Sequence, residues 1–260
     1  GSLELGYKRA KLAWYIVDNV FYRTAGSAKP ANITQTDLQN HYVRPIVPQE
    51  IFRFRNQEVI NTNEPIFDMA FFPRERGPYN YNPDLDNSGF LDNPQSNWGG
   101  ITRAITSDVD FDKNNIEYIE FWMMDPFIPG ENGRVLDGVD NGNNTTGGQL
   151  VFNLGSISED VIKDNRHGFE NGLPADGDTS EVLKTPWGHV TKQQFLTNAF
   201  DNSAAARANQ DVGIDGLRNE EEVVYHDEFI DAIGGTVSPD ALEAILSDPS
   251  ADDFQYYLGG

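Results

Sequence analysis

The chain has 260 residues, no cysteine, and 41 acidic against 19 basic side chains, a formal net charge of −22. A field of that sign repels phosphate backbones and anionic membrane surfaces, which disfavours nucleic acid and lipid headgroups as partners. The missing Cys excludes disulfides, thiolate metal sites and a Cys nucleophile, while 38% hydrophobic and 12% aromatic residues suffice for a packed core.

The opening Gly1-Ser2 reads as an expression remnant, and the abrupt start predicts a segment of a longer protein. No signal peptide is visible, and no apolar run approaches the ~20 residues of a spanning helix, so the segment itself is expected not to span a membrane. "YKRAKLAWYIVDNVFY" (7–22) suits a helix or a strand, since both periods are present. "IVPQEIFRFRNQEV" (46–59) alternates Phe52 and Phe54 with Arg53 and Arg55, a strand pattern. "EPIFDMAFFP" (64–73) predicts another strand, stopped by Pro73.

Residues 74–100 are turn-rich, with Gly77-Pro78, Asn82-Pro83, Asn93-Pro94 and Gly99-Gly100. Strand signals resume at 101–106, 116–124 and 147–155. Between the last two lies a connection rich in Gly, Asn and Asp. The stretch 116–124 is apolar on both faces toward its end, like a central sandwich strand with Trp122 in the core. Glu120 would then be half-buried and need a partner, with Arg103 the candidate. Its strand neighbour Glu117 points the other way, which argues against paired-carboxylate hydrolysis.

After residue 155 the texture turns helical. Helix starts are expected at Ser158 and at Thr191 with Gln194, ahead of Phe195, Leu196, Ala199 and Phe200. Glu220–Glu222 lead into Val223, Phe229, Ile230 and Ile233, with Gly234-Gly235 as the stop. Ser238-Pro239 offers an N-cap and a Pro at the first helical position for Leu242, Ile245 and Leu246. The expected fold is mainly β: an antiparallel, jelly-roll-like β-sandwich over 1–155, with a helical and loop-rich extension over 156–260 packed on the same domain.

Metal-ligand spacing is clearest in "DVGIDGLRNEEE" (211–222). Asp211, Asp215, Gly216, Asn219 and Glu222 fall on positions 1, 5, 6, 9 and 12 of an EF-hand loop, an arrangement of hard oxygens for Ca2+. Gly213 stands at position 3, where a ligand is expected, and Arg218 at position 8, normally apolar. The plainer reading is a double turn made by Gly213 and Gly216. "DLDNSGFLD" (84–92) starts similarly but has Gln95 at position 12, and reads as a solvated Asx-turn loop. His41, His167, His189 and His226 have no ligand spacing. No nucleophile elbow or phosphate loop occurs, so no catalytic residues are assigned. Trp98, beside Gly99-Gly100, is the candidate ligand-binding platform, with Trp122, Trp187, Tyr79 and Tyr81 as further aromatics for stacking on sugar.

Six stretches in order carry a family resemblance: "YKRAKLAWYIVDNVFY", "NWGGITRAI", "NIEYIEFWMMDPF", "GGQLVFNLGSISEDVIKDNRHGFENGLP", "NAFDNSAAARANQDVGIDGL" and "DPSADDFQYYLGG". They resemble the SprA/Sov family, the giant outer-membrane translocon protein of the type IX secretion system, required for gliding motility in some bacteria. The resemblance runs from about residue 7 to the C-terminus. It implies a part in protein export and no catalysis. It further implies, as partners, other parts of the translocon barrel, a PorV-like shuttle protein and secreted protein substrates. The segment's loops, long and rich in Asp and Asn, favour the extracellular cap over the channel exit, with a periplasmic position as the alternative. A carbohydrate-binding module of a cell-surface protein is the rival reading, because such modules share the sandwich architecture.

Overall fold

The computed structural model describes residues 3–16, 46–54, 63–64, 66–103, 105, 107, 109–125, 127–130, 142–143, 145, 147–155, 173–185, 188–192, 201 and 203–254. Two compact units emerge, one of Gly1–Leu12, Phe71–Ile101 and Ile157–Gly260, the other of Ala13–Ala70 and Thr102–Ser156. The units interleave along the chain, with breaks after residues 12, 70, 101 and 156.

Residues 7–22 resolve, where described, into strand β1 (Ala10–Tyr15), which pairs with β2 (Asp68–Arg76) in a two-stranded sheet. Aromatic Trp14 and Tyr15 suit the pleated surface better than a helix. In the first unit Lys11 meets Glu75 at 3.1 Å and lies 5.4 Å from the Phe72 ring centroid. Pro73 does not end β2, contrary to expectation. In a two-stranded sheet both strands are edges, so a missing N–H is tolerated and the strand runs on to Arg76. A second, antiparallel pair joins β3 (Val182–Thr185) to β4 (Gly188–Thr191), with Val182 opposite Thr191 and Leu183 opposite Val190. Thr191, expected to cap a helix, therefore ends a strand; Phe195, Leu196, Ala199, Phe200 and the start at Ser158 lie outside the described residues.

The strand expected at 46–59 is instead a helical turn, α1 (Pro48–Ile51), where it is described. Pro48 at its first position has φ preset and no N–H to lose, and Glu50 reaches back to the Val47 N–H at 3.5 Å. No sheet ladder is described at 101–106, 116–124 or 147–155. A strand apolar on both faces needs neighbours on both sides, and these stretches, where described, are solvent-exposed in the chain by itself. Trp122, expected in the core, is 72% exposed, and Glu120 is exposed too, so it needs no buried partner such as Arg103. Two strand pairs with short helices are thus what the described residues display of the expected fold.

Among the described residues of the first unit are four helices: α2 (Ala204–Gln210), α3 (Asn219–Tyr225), α4 (Asp227–Ile233) and α5 (Pro239–Ser247). Ser238 caps α5 by accepting from the Ala241 N–H at 3.3 Å, with Pro239 following as expected. The run after Glu220 is broken at His226 into α3 and α4, yet Phe229 and Ile233 are buried. They join Ala10, Tyr79, Tyr81, Leu85, Leu91, Val237 and Ile245 in one apolar core.

Candidate metal centre

The candidate site grows from the loop between α2 and α3. Ser203 caps α2 through the Ala206 N–H at 3.3 Å, and the helix ends as Asp211 N–H donates to Arg207 O at 2.7 Å. Gly213 (φ +54°) and Gly216 (φ +72°) then make the double turn, a left-handed backbone that glycine adopts without strain. The Leu217 N–H donates to Asp215 Oδ1 at 2.9 Å. Glu221 accepts the Arg218 N–H at 3.0 Å and opens α3, whose first-turn acids Glu220, Glu221 and Glu222 complement the helix dipole.

Of the four predicted ligands the structure brings together Asp215 and Glu222, and joins to them Asp252, which loop spacing could not reveal. One carboxylate oxygen from each lies within 4.8 Å of those from the other two. Asp211 is turned away, its Oδ2 accepting the Phe254 N–H at 2.8 Å. Asn219 uses its amide N–H groups on Ser247 O (2.6 Å) and Asp253 Oδ2 (2.8 Å). A second group, Asp248 with Asp252 and Asp253, adjoins the first through the shared Asp252.

Why Gly stands at position 3 becomes plain. A Cβ at residue 213 would lie 1.8 Å from Asp252 Oδ2 and 2.6 Å from the Tyr79 hydroxyl, so only glycine leaves the space that Asp252 occupies. The segment carrying Asp252 is fixed from several sides. Tyr79 N–H donates to Ser250 O at 2.6 Å, the Tyr81 hydroxyl and Ser250 Oγ are 2.9 Å apart, and Ser250 N–H donates to Glu222 Oε2 at 3.1 Å. Tyr79 in turn accepts the Ile214 N–H at 2.8 Å, tying the loop to the same ring.

Burial pushes the Glu222 carboxyl up to about 8, with the charges of Asp252 and Asp215 adding to the rise and the Ser250 hydrogen bonds opposing it. Asp252 is pushed up to about 7, again by burial first, with the hydrogen bond to Tyr79 opposing and Asp215 and Asp248 reinforcing. Arg76 is the buried cation nearby. Its guanidinium donates to Asn80 O (2.9 Å) and Pro249 O and lies 4.8 Å from the Phe229 centroid; burial lowers it to about 10, against the raising pull of Asp248.

The other sequence candidates separate. Trp98 is 45% exposed, with the Arg9 guanidinium 5.4 Å from its ring centroid. Tyr79 and Tyr81 are core residues, which removes them from any sugar platform; Tyr81 stacks on His226 at 3.9 Å. Trp187, His41 and His167 lie outside the described residues, and of His189 only the backbone in β4 is described. In 84–92, Asp86 Oδ1 accepts the Ser88 and Phe90 N–H groups, both at 2.9 Å, the expected Asx-turn loop. Among the described residues no helix is long and apolar enough to cross a membrane.

No protein-family model matches this chain, and no curated protein matches it.

Proposed function

We propose that the chain is a non-catalytic structural and interaction module of a SprA/Sov-like outer-membrane translocon, acting in type IX protein secretion and gliding motility. The six ordered motifs support the family reading. The observation that carries the interaction role is the exposed apolar surface of the second unit. Tyr118, Phe121, Trp122, Met123, Val151 and Phe152 are all open to solvent there. Apolar side chains clustered at a surface mark contact with another surface. The occupant we assign is the remainder of the translocon, with the barrel itself first and the PorV-like shuttle and exported substrates beside it. On this reading 101–106, 116–124 and 147–155 complete the jelly-roll-like sandwich against those neighbours, and the acidic, Asp- and Asn-rich loops are the feature that favours the extracellular cap at the channel exit.

The test is a photo-crosslinking side chain at Phe121 or Trp122 in the parent protein in cells. Crosslinks to the barrel or its shuttle are expected, together with a secretion defect when Trp122 is changed to Glu. Normal secretion and partner recruitment by a barrel from which residues 7–260 have been removed would sink the reading. An open concavity of about 800 Å3, lined by Ile51, Phe52, Phe54 and Trp122, is the observation behind the rival carbohydrate-binding reading. Within it Phe52 and Trp122 meet edge to face, centroids 6.4 Å apart at 82°. A glycan array bound by the chain, with binding lost in Trp122→Ala, would replace the first reading with this one.

A further inference from the structure

We propose that Asp215, Glu222 and Asp252 form a calcium site in which Asp252, arriving from a distant segment, takes the place of the ligand missing at residue 213. The inference goes beyond the secretion reading and stands without it. Calcium binds oxygens at about 2.3–2.6 Å, so two ligands on opposite sides of the ion are about 5 Å apart at most. One oxygen from each of the three carboxylates lies within 4.8 Å of the others, which fits that sphere. An all-oxygen, thiol-free donor set selects Ca2+, Mg2+ or Mn2+ over zinc. Mg2+ demands a tight, near-ideal octahedron, whereas this set is drawn from a turn, a helix and a separate segment, the irregular geometry that calcium accepts.

A second observation points to a ligand. Glu222 is 1% exposed, its Oε2 is engaged by the Ser250 N–H, and its Oε1 is buried with no hydrogen-bond donor. A carboxylate oxygen left in that state is costly, and a second and third carboxylate beside it raise the cost. A divalent cation satisfies the orphan oxygen and cancels the mutual repulsion together. The Gly213 clearance is the matching feature of the loop: it admits the Asp252 carboxylate where a side chain at 213 would otherwise stand.

Calorimetric titration of the full chain with Ca2+ and, separately, Mg2+, after chelation, tests the assignment. Expected are saturable calcium binding, weaker magnesium binding, and a higher melting temperature with calcium. Glu222→Gln and Asp252→Asn should each weaken calcium at least ~10-fold, the loss typical even of outer-shell partners. Glu228→Gln, exposed on α4 and outside the ligand set, should bind as the parent does. Circular dichroism of each chelated variant checks its fold. Terbium(III) emission excited through tyrosine, displaced by calcium, gives a variant-free reading of an ion near Tyr79. The proposal is overturned by the absence of binding at millimolar calcium, by magnesium binding more tightly than calcium, by both carboxylate variants binding normally, or by terbium emission that calcium fails to displace.

Discussion

At position 213 the backbone φ is +54°, and the volume a side chain would fill already holds a carboxylate oxygen. Gly213→Ala therefore meets two penalties, left-handed strain and the displacement of Asp252. We expect a loss of about 1–3 kcal/mol in urea unfolding, and an unchanged midpoint would refute the packing described. Asp68 at the head of β2 is a different case. Burial alone pushes its carboxyl up to about 6, and its Oδ2 has no hydrogen-bond partner. The folded state holds this proton more tightly than the unfolded chain, whose Asp titrates near about 4. The stabilisation from Asp68 is thus complete below pH about 4 and is lost as pH rises toward about 6. Asp68→Asn should flatten that fall, matching the parent at low pH and exceeding it at pH 7; parallel pH profiles for the two proteins would contradict it.

Among the elements, α5 shows how short-range signals are honoured. The Ser238 hydroxyl caps it, Pro239 starts it, and Ile245 docks in the core. Ser238→Ala should cost about 1 kcal/mol and Ser238→Asp should recover most of it, measured by thermal melting. The cap and the starting Pro are spelled out within a few residues, as is the Asp86 turn, and so they are legible in sequence. Features that depend on a returning chain are not. The EF-hand-like spacing names Asp215 and Glu222 together, and the structure brings them together. It could not supply Asp252, nor tell that Asp211 and Asn219 would turn to Phe254, Ser247 and Asp253. Helix α2 is not legible in the sequence because its Ala-rich run lacks a stripe of large apolar residues. The β3–β4 pair was missed because each strand is only four residues long. The pattern at 116–124 predicts burial on both faces, yet pattern alone does not say which chain provides the cover.

For the whole molecule, the two units behave differently toward water. The first closes a core around Tyr81 and Ile233; the second exposes large apolar side chains from Trp14 to Leu154. An apolar fluorescent dye should therefore bind the isolated chain strongly, and Trp122→Ser with Phe121→Ser should lower the signal without shifting the melting of the first unit. Equal dye binding by parent and double variant would count against the exposed surface described.

The fastenings of Ser250 and Pro249 carry a consequence for assembly in time. Tyr81 meets a partner 169 residues later in the chain, and Arg76 one 173 residues later. Closure of loops that long is an entropic barrier that local structure does nothing to lower. A ribosome or a secretion pore delivers the N-terminal end first, so Tyr79, Tyr81 and Arg76 are presented early and must wait, their polar groups hydrated, until residues 249–254 arrive. The first unit therefore cannot be completed before residues 249–254 have emerged, whatever local structure forms earlier.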